Sequence, residues 1–267
     1  MEFYKGKVVW ITGASSGIGK ELALQLAHTQ AKLILTGRNE LALATLQEQC
    51  LAYTPSCAIL PADLAQPELL EPLAQQAIKT FGHIDVLINN AGVTQRDSAE
   101  NTQPQVIRQL MEINFFSPVL LTKALLPHFR ARGGGAVAVV GSMAGLMGFP
   151  YRTSYSAAKH ALKGFFETLQ VEHMLPNFHI TIVSPGRIQT PISLRALTGD
   201  GQAYNKMNDG QLHGIPVEIC ARKIINGIAK HRKHVIVARQ ERILWLMRKW
   251  CTPLYYYVAR KAGKADA

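Results

Sequence analysis

Seven short apolar runs rich in β-branched residues, separated by segments of helix length, constrain this chain of 267 residues more than any other feature. They are KVVWIT (7–12), KLILT (32–36), CAIL (57–60), IDVLI (84–88), GAVAVV (135–140), HITIV (179–183) and HVIV (234–237). Each is apolar almost throughout rather than at alternate positions. That pattern suits a strand buried on both faces, and strands buried on both faces belong to parallel sheets. The segments between them include Gly19 to Thr29, Glu40 to Ala52, Pro67 to Phe81, Pro104 to Arg132, Ser154 to Leu175 and Pro216 to His231. They are long enough for the right-handed crossover helices that parallel strands need. The expected fold is α/β, a doubly wound sheet of seven parallel strands flanked by helices. Residues 1–238 form a single domain without linkers or repeats. Two stretches break the rhythm: 190–214, polar and glycine-containing, and 239–267.

A chain of this length that is 48% hydrophobic buries roughly 70 to 75% of its unfolded surface, so it needs no disulfides. Cys50, Cys57, Cys220 and Cys251 form no CxxC pair and no Cys/His cluster with zinc spacing. They read as ordinary thiols of a reducing, cytoplasmic compartment, and no metal is expected. The opening MEFYKGKVVWITG enters a strand at once, with no room for a signal peptide, and no run of 18 apolar residues occurs that would span a bilayer. The net charge of +11 is unevenly spread: residues 220–267 carry 12 Lys and Arg against Glu241 and Asp266, while the remainder is nearly neutral. A basic charge confined to one end, without a recognised nucleic-acid module, does not read as a nucleic-acid surface.

The first strand runs directly into TGASSGIGKELALQLA, where Gly13, Gly17 and Gly19 precede an apolar helical pattern. Glycines allow a tight turn and close backbone approach, and the following helix N-terminus offers unpaired N–H groups to a pyrophosphate. Strand before and helix after raise this above a simple turn, to the dinucleotide site of a Rossmann fold. The second strand ends in TGRN, where an NAD-binding unit commonly has an acid for the ribose hydroxyls. Here Arg38 suits a 2′-phosphate, and the reading is NADP(H); a solvated loop arginine is the alternative. INNAGV (88–93) follows the fourth strand, Ser142 the fifth, and Pro185, Gly186 and Thr190 the sixth. Carboxyl ends of strands are where open parallel sheets bind ligands. In TSYSAAKHALKGF, Tyr155 and Lys159 lie four apart and share a helix face, so the ammonium is expected to lower the phenol's pKa.

Taken together, TGASSGIG, NNAG, Asn114 in a helix, Ser142, YSAAK and PG with a Thr four residues beyond its Gly resemble the short-chain dehydrogenase/reductase family, over roughly residues 5–238. The resemblance implies an NADP(H)-dependent oxidoreductase interconverting a ketone and a secondary alcohol. It makes Tyr155 the acid/base and Ser142 the donor to the substrate oxygen. Lys159 holds the nicotinamide ribose and depresses the tyrosine pKa, and Asn114 supports a water-linked proton path to Lys159. It assigns the cofactor to Gly13, Ser15, Ser16, Gly17, Ile18, Gly19, Arg38, Asp63, Leu64, Asn90, Ala91, Gly92, Tyr155, Lys159, Pro185, Gly186, Ile188 and Thr190. Asp63 stands at the adenine and Thr190 at the nicotinamide carboxamide. Their alternatives are a helix-capping Asp and a Thr that begins a polar loop. The resemblance also favours homodimers or homotetramers formed by the helices of Asn114 and Tyr155.

Residues 190–214 occupy the family's substrate-covering segment, and its leucines and methionine either line a cleft or pack. Leu146, Met147, Phe149 and Pro150 are expected to wall the reacting carbonyl, which implies a hydrophobic, lipid-like carbonyl or alcohol substrate. In the tail, Ile243, Leu244, Leu246, Met247 and Trp250 recur at helical spacing, mixed with Trp245, Tyr255 to Tyr257, Arg242, Arg248, Lys249, Arg260, Lys261 and Lys264. Aromatic residues beside cations favour a membrane surface, so the tail reads as a helix lying peripherally on a bilayer, interrupted at Pro253. A helix that covers the fold or forms a dimer interface is the alternative. With the TGRN turn, this tail resembles the family's membrane-associated branch that reduces steroids and lipid ketones. Rival functions are a 3-oxoacyl reductase whose basic surface docks an acyl carrier protein, and a non-catalytic NADPH-binding sensor or scaffold.

Overall fold

The computed structural model describes residues 2–172, 175–207 and 209–265. Its centre is one parallel sheet of seven strands: β1 (Val8–Thr12), β2 (Lys32–Thr36), β3 (Cys57–Ile59), β4 (Val86–Asn89), β5 (Gly135–Val140), β6 (Phe178–Pro185) and β7 (His234–Val237). Their spatial order is β3-β2-β1-β4-β5-β6-β7, so the chain reverses its direction of travel between β1 and β4. All seven expected strands form. β2, β5 and β7 occupy the expected residues, whereas β6 runs two residues further, to Pro185.

Burial on both faces explains the apolar runs. In β1, Val9 and Ile11 pack on one side against Leu22 and Leu26 of α1 (Gly17–Ala27) and Ile224 and Ile228 of α8 (Val217–Ala229). Val8 and Trp10 join the opposite layer, with Leu73 of α3 (Leu70–Phe81), Leu125 and Phe129 of α5 (Ser117–Ala131), and Leu162 and Phe166 of α6 (Thr153–Glu172). Trp10 satisfies its indole N–H by donating to the Thr36 hydroxyl, 2.9 Å away on the neighbouring strand.

Local chemistry sets the helix ends. Asn39 caps α2 (Glu40–Leu51) by accepting from the Ala42 N–H at 2.9 Å, and α3 stops at Gly82, whose φ of 80° needs no Cβ penalty. The expected helix Pro104 to Arg132 is three pieces: α4 (Pro104–Met111), a π-type turn Glu112–Phe116, and α5. The expected helix ending at Leu175 is α6, which ends at Glu172; His173 and Met174 lie outside the described residues. Residues 190–214 contribute a short turn Pro191–Ser193, isolated bridges from Leu197 to Gln95 and Ala203, and α7 (Asp209–Leu212). Asn208 lies outside the described residues.

The tail is two helices, α9 (Gln240–Trp250) and α10 (Thr252–Ala265), broken beside Pro253 as the sequence suggests. The pair is anchored to the body. Tyr255 is buried and packs with Met143, Leu146 and Met147, and Leu244, Trp245 and Met247 lie against the same cluster. The Tyr255 hydroxyl donates to the Gly148 carbonyl at 2.6 Å, and Arg248 donates to the Leu146 carbonyl at 2.9 Å. No described helix is long and apolar enough to cross a membrane.

Candidate active site

The carboxyl ends of β1, β4, β5 and β6 surround a cavity of about 350 Å³ at the point where the strand order reverses. One wall is the turn after β1. Gly13 has φ +65°, and a Cβ there would lie 2.6 Å from the Ala91 Cα; one on Gly19 would lie 2.2 Å from the Gly13 carbonyl oxygen. Only a backbone without side chains closes this tightly. Asn90 ties it together: its side-chain amide donates to the carbonyls of Thr12 and Gly13 at 3.0 and 3.1 Å, and its own N–H donates to the Thr12 hydroxyl at 3.1 Å. Ser15, Ser16, Gly17 and Ile18 line the cavity at the start of α1, with Arg38, Asp63 and Leu64 beyond them. Asp63 accepts from the Ala65 N–H at 3.1 Å, the turn-forming bond of a loop aspartate, while its side of the cavity stays open to a ligand. Arg38 is exposed.

The facing wall holds the reactive side chains. Ser142 follows β5 and accepts from the Ala144 N–H at 3.1 Å, which fixes it at the head of the turn Met143–Gly145. Its hydroxyl also bonds the Tyr155 phenol. Tyr155 is 9% exposed and Lys159, one turn on along α6, is 4% exposed. Asn114 sits fully buried in the π-type turn. Its amide donates to the carbonyls of Val93 and Leu110 at 2.9 and 3.0 Å, and its oxygen accepts from the Val93 N–H at 3.3 Å. Asn114 and Lys159 converge on Gly92: a Cβ there would lie 2.8 Å from Asn114 Oδ1 and 3.5 Å from Lys159 Nζ. π-type turns commonly mark functional sites, and this one re-aims Asn114 inward.

The electrostatics differ from the expectation of a phenol drawn down by its lysine. Burial pushes the Tyr155 pKa up, opposed by the Ser142 bond and the charge of Arg152. Lys159 instead donates to the Val140 carbonyl at 2.9 Å, and burial lowers its own pKa to about 8. Desolvation outweighs the i,i+4 pairing because both groups lie inside the protein.

A third wall is the chain leaving β6. Pro185, Gly186, Ile188 and Thr190 line the cavity, and a Cβ on Gly17 would lie 3.3 Å from the Thr190 methyl, so this segment closes over the glycine turn. The expected wall of four residues divides. Phe149 and Pro150 line the cavity, whereas Leu146 and Met147 turn away to pack under Tyr255. In the covering segment Leu197 lines the cavity, whereas Leu212 is half exposed. Several lining residues went unread in the sequence, among them Thr94, Gln109, Ile113 and Arg187, and three more carry charge. Arg152, three residues before Tyr155, donates to the Thr94 hydroxyl at 2.7 Å; Arg195 donates to Ser16 at 3.3 Å; Glu241 enters from the tail. Arg152 had a local signal, its helical spacing from Tyr155, but the other two are distant in sequence from what they touch.

The family profile for short chain dehydrogenases matches residues 7–199. The chain belongs to the short-chain dehydrogenase family. Its resemblance to curated family members is substantial: it is 39% identical over 243 residues to dehydrogenase/reductase SDR family member 7B of Bos taurus, covering 88% of this chain and 74% of that protein. It is 35% identical over 269 residues to the SDR family protein 7-like of Drosophila melanogaster, covering 98% and 82%. The solved short-chain dehydrogenase/reductase of Burkholderia phymatum, in complex with NAD, superposes with a TM-score of 0.82 at 22% identity, over 95% of this chain and 96% of that one. An alcohol dehydrogenase of Thermococcus sibiricus, complexed with 5-hydroxy-NADP, gives 0.74 at 22% identity, over 87% and 96%. Family membership makes this chain an oxidoreductase of the dehydrogenase/reductase type.

Proposed function

We propose that this short-chain dehydrogenase uses NADP(H) to interconvert a ketone and a secondary alcohol on a hydrophobic, lipid-like substrate. The observation that carries the reading is the convergence of Ser142, Tyr155, Lys159 and Asn114 on one cavity whose opposite wall is the glycine turn. The closed backbone at Gly13 and Gly19 suits a pyrophosphate beside the N–H groups of α1. Arg38 stands where the ribose of the adenosine half would lie, with no carboxylate beside it in TGRN, and Arg195 adds a second cation over Ser16. Both favour a 2′-phosphate. Pro185, Gly186, Ile188 and Thr190 hold the nicotinamide half near Tyr155.

Bound there, the cofactor supplies or accepts the hydride. The chain's residues do the rest. In reduction, Ser142 donates to the carbonyl oxygen and so stabilises the negative charge that builds on it. Tyr155, kept protonated by burial, gives that oxygen its proton. Lys159, whose lowered pKa lets it release a proton near neutral pH, refills Tyr155 and is itself reprotonated along the path that Asn114 supports. Val93, Ile113, Phe149, Pro150 and Leu197 line the substrate side and suit an apolar ketone.

The tail supports a membrane-surface setting. Ile243, Leu246, Trp250, Tyr256 and Tyr257 remain exposed after docking, interleaved with Arg242, Lys249, Arg260 and Lys261. Such a face suits anionic lipid. A cytoplasmic homo-oligomer bound peripherally to a bilayer completes the reading.

The test is NADPH oxidation by purified protein, in detergent or on liposomes, with a steroid, an acylated dihydroxyacetone phosphate, a retinal and 3-oxoacyl thioesters. Turnover of one lipid ketone by the parent and none by Tyr155→Phe is expected. Full activity in Tyr155→Phe would refute the assignment of the acid, and turnover that rises with an acyl carrier protein would move the substrate to 3-oxoacyl chains. Tight NADPH binding without any turnover would favour a sensor.

A further inference from the structure

We propose that Glu241, supplied by the C-terminal tail, is a positioning residue for the nicotinamide half of the cofactor. The inference rests on the function proposed above. Glu241 is the single acidic residue between Glu218 and Asp266, in the most basic part of the chain, yet it points inward and is 8% exposed.

Its carboxylate lies against the exit of β6. Oε1 accepts from the Arg187 N–H at 2.9 Å, and Oε2 accepts more weakly from the Arg239 N–H at 3.3 Å. A Cβ on Gly186 would lie 2.7 Å from Oε2, so the carboxylate rests directly on the peptide of that glycine. Around this turn the Gly186 N–H donates to the Val237 carbonyl at 2.9 Å, and the Arg187 carbonyl accepts from the Ile215 N–H at 2.8 Å. The Arg187 N–H is the donor that the sheet leaves over, and a buried N–H needs an acceptor. Glu241 provides one with a full charge, which shortens and strengthens the bond. The peptides so fixed lead into Ile188 and Thr190, which line the same cavity as Tyr155, and Glu241 is itself part of the cavity wall. Without that acceptor the turn is free to rotate its peptides, and the surface that faces the nicotinamide loses its shape. The hydrogen bonds of Glu241 go to Arg187 and Arg239, away from the glycine turn, Arg38 and Asp63 that would hold the adenosine end.

The test compares NADPH with 2′,5′-ADP, which has the adenosine half and no nicotinamide, by titration of the full-length protein. Glu241→Ala is expected to raise the NADPH Kd about tenfold, the scale of one hydrogen bond to a charged group, while 2′,5′-ADP changes by less than about twofold. Glu241→Gln keeps an acceptor for the Arg187 N–H and is expected to recover most of the loss. Tyr255→Phe removes another tie between tail and body and is expected to leave both ligands unaffected. Equal weakening of both ligands by Glu241→Ala, the same loss in Tyr255→Phe, or unchanged NADPH binding would each overturn the proposal and leave Glu241 a fastener of the tail. A parent protein that bound neither ligand would instead remove the NADP(H) reading proposed above, and this inference with it.

Discussion

Burial, more than charge pairing, sets the chemistry of the individual side chains here. Lys159 keeps its ammonium inside the protein with one backbone carbonyl as its hydrogen-bond partner, and its pKa falls from 10.5 to about 8. Between those values the unfolded chain holds a proton that the folded chain has lost, so stability rises with pH; below about 8 the whole cost, about 3 kcal/mol, is present. Lys159→Met removes the titrating group. The stability gap between variant and parent, measured by urea unfolding, is therefore expected to shift by about 2 kcal/mol in the parent's favour between about pH 7.5 and about pH 10. A constant gap would show that Lys159 titrates normally. Arg38 sits at the other extreme, exposed at the end of β2. If it receives the 2′-phosphate, Arg38→Asp replaces a charge-assisted bond by a repulsion. NADPH affinity is then expected to fall about 10- to 100-fold, with NADH affinity unchanged or improved. Equal loss of both cofactors would remove the NADP preference from this residue.

Elements whose cause is local were legible in the sequence, and contacts made across long separations were not. β2, β5 and β7 lie where the apolar runs placed them, because burial on both faces writes itself into consecutive residues. The closed turn at Gly13 and Gly19 was readable for the same reason, since a few neighbouring glycines create it. The π-type turn around Asn114 leaves no period of its own in the sequence, so the whole of 104–132 read as one helix. The tail's helical stripe was legible, but its division was not: Tyr255 turned inward to Gly148, 107 residues away, while Trp250 stayed out. Tyr255→Ala is expected to cost about 3 kcal/mol of tail docking, from the lost ring and the cavity left under Met143 and Met147. The loss should appear as faster amide exchange and easier proteolysis over 240–265, with the sheet unaffected. Protection unchanged from the parent would mean that α9 alone holds the tail in place.

At the scale of the whole molecule, the cavity and the tail occupy the same end of the sheet, because α9 follows β7 directly and returns over the loop between β5 and α6. One end of the protein therefore presents both the cavity and the exposed aromatic and basic face. If that face rests on a bilayer, an apolar substrate can pass from lipid to the cavity without crossing bulk water, and the docked helices place the cations at the headgroups. Each exposed cation contributes about 1 kcal/mol near an anionic surface, so neutralising Lys249 and Arg260 to Gln is expected to weaken binding to phosphatidylserine vesicles by about 2 kcal/mol, or roughly 30-fold. Neither residue lines the cavity, so NADPH affinity in solution should stay at the parent value. Sedimentation with vesicles measures the first quantity, and added salt should weaken the parent's binding through the same screening. Trp250→Ser, at a residue 78% exposed, should lower affinity for neutral vesicles as well, since its contribution is apolar. Vesicle binding that survives all three substitutions, or that is absent in the parent, would return the tail to the role of a cover for the loop beside Ser142.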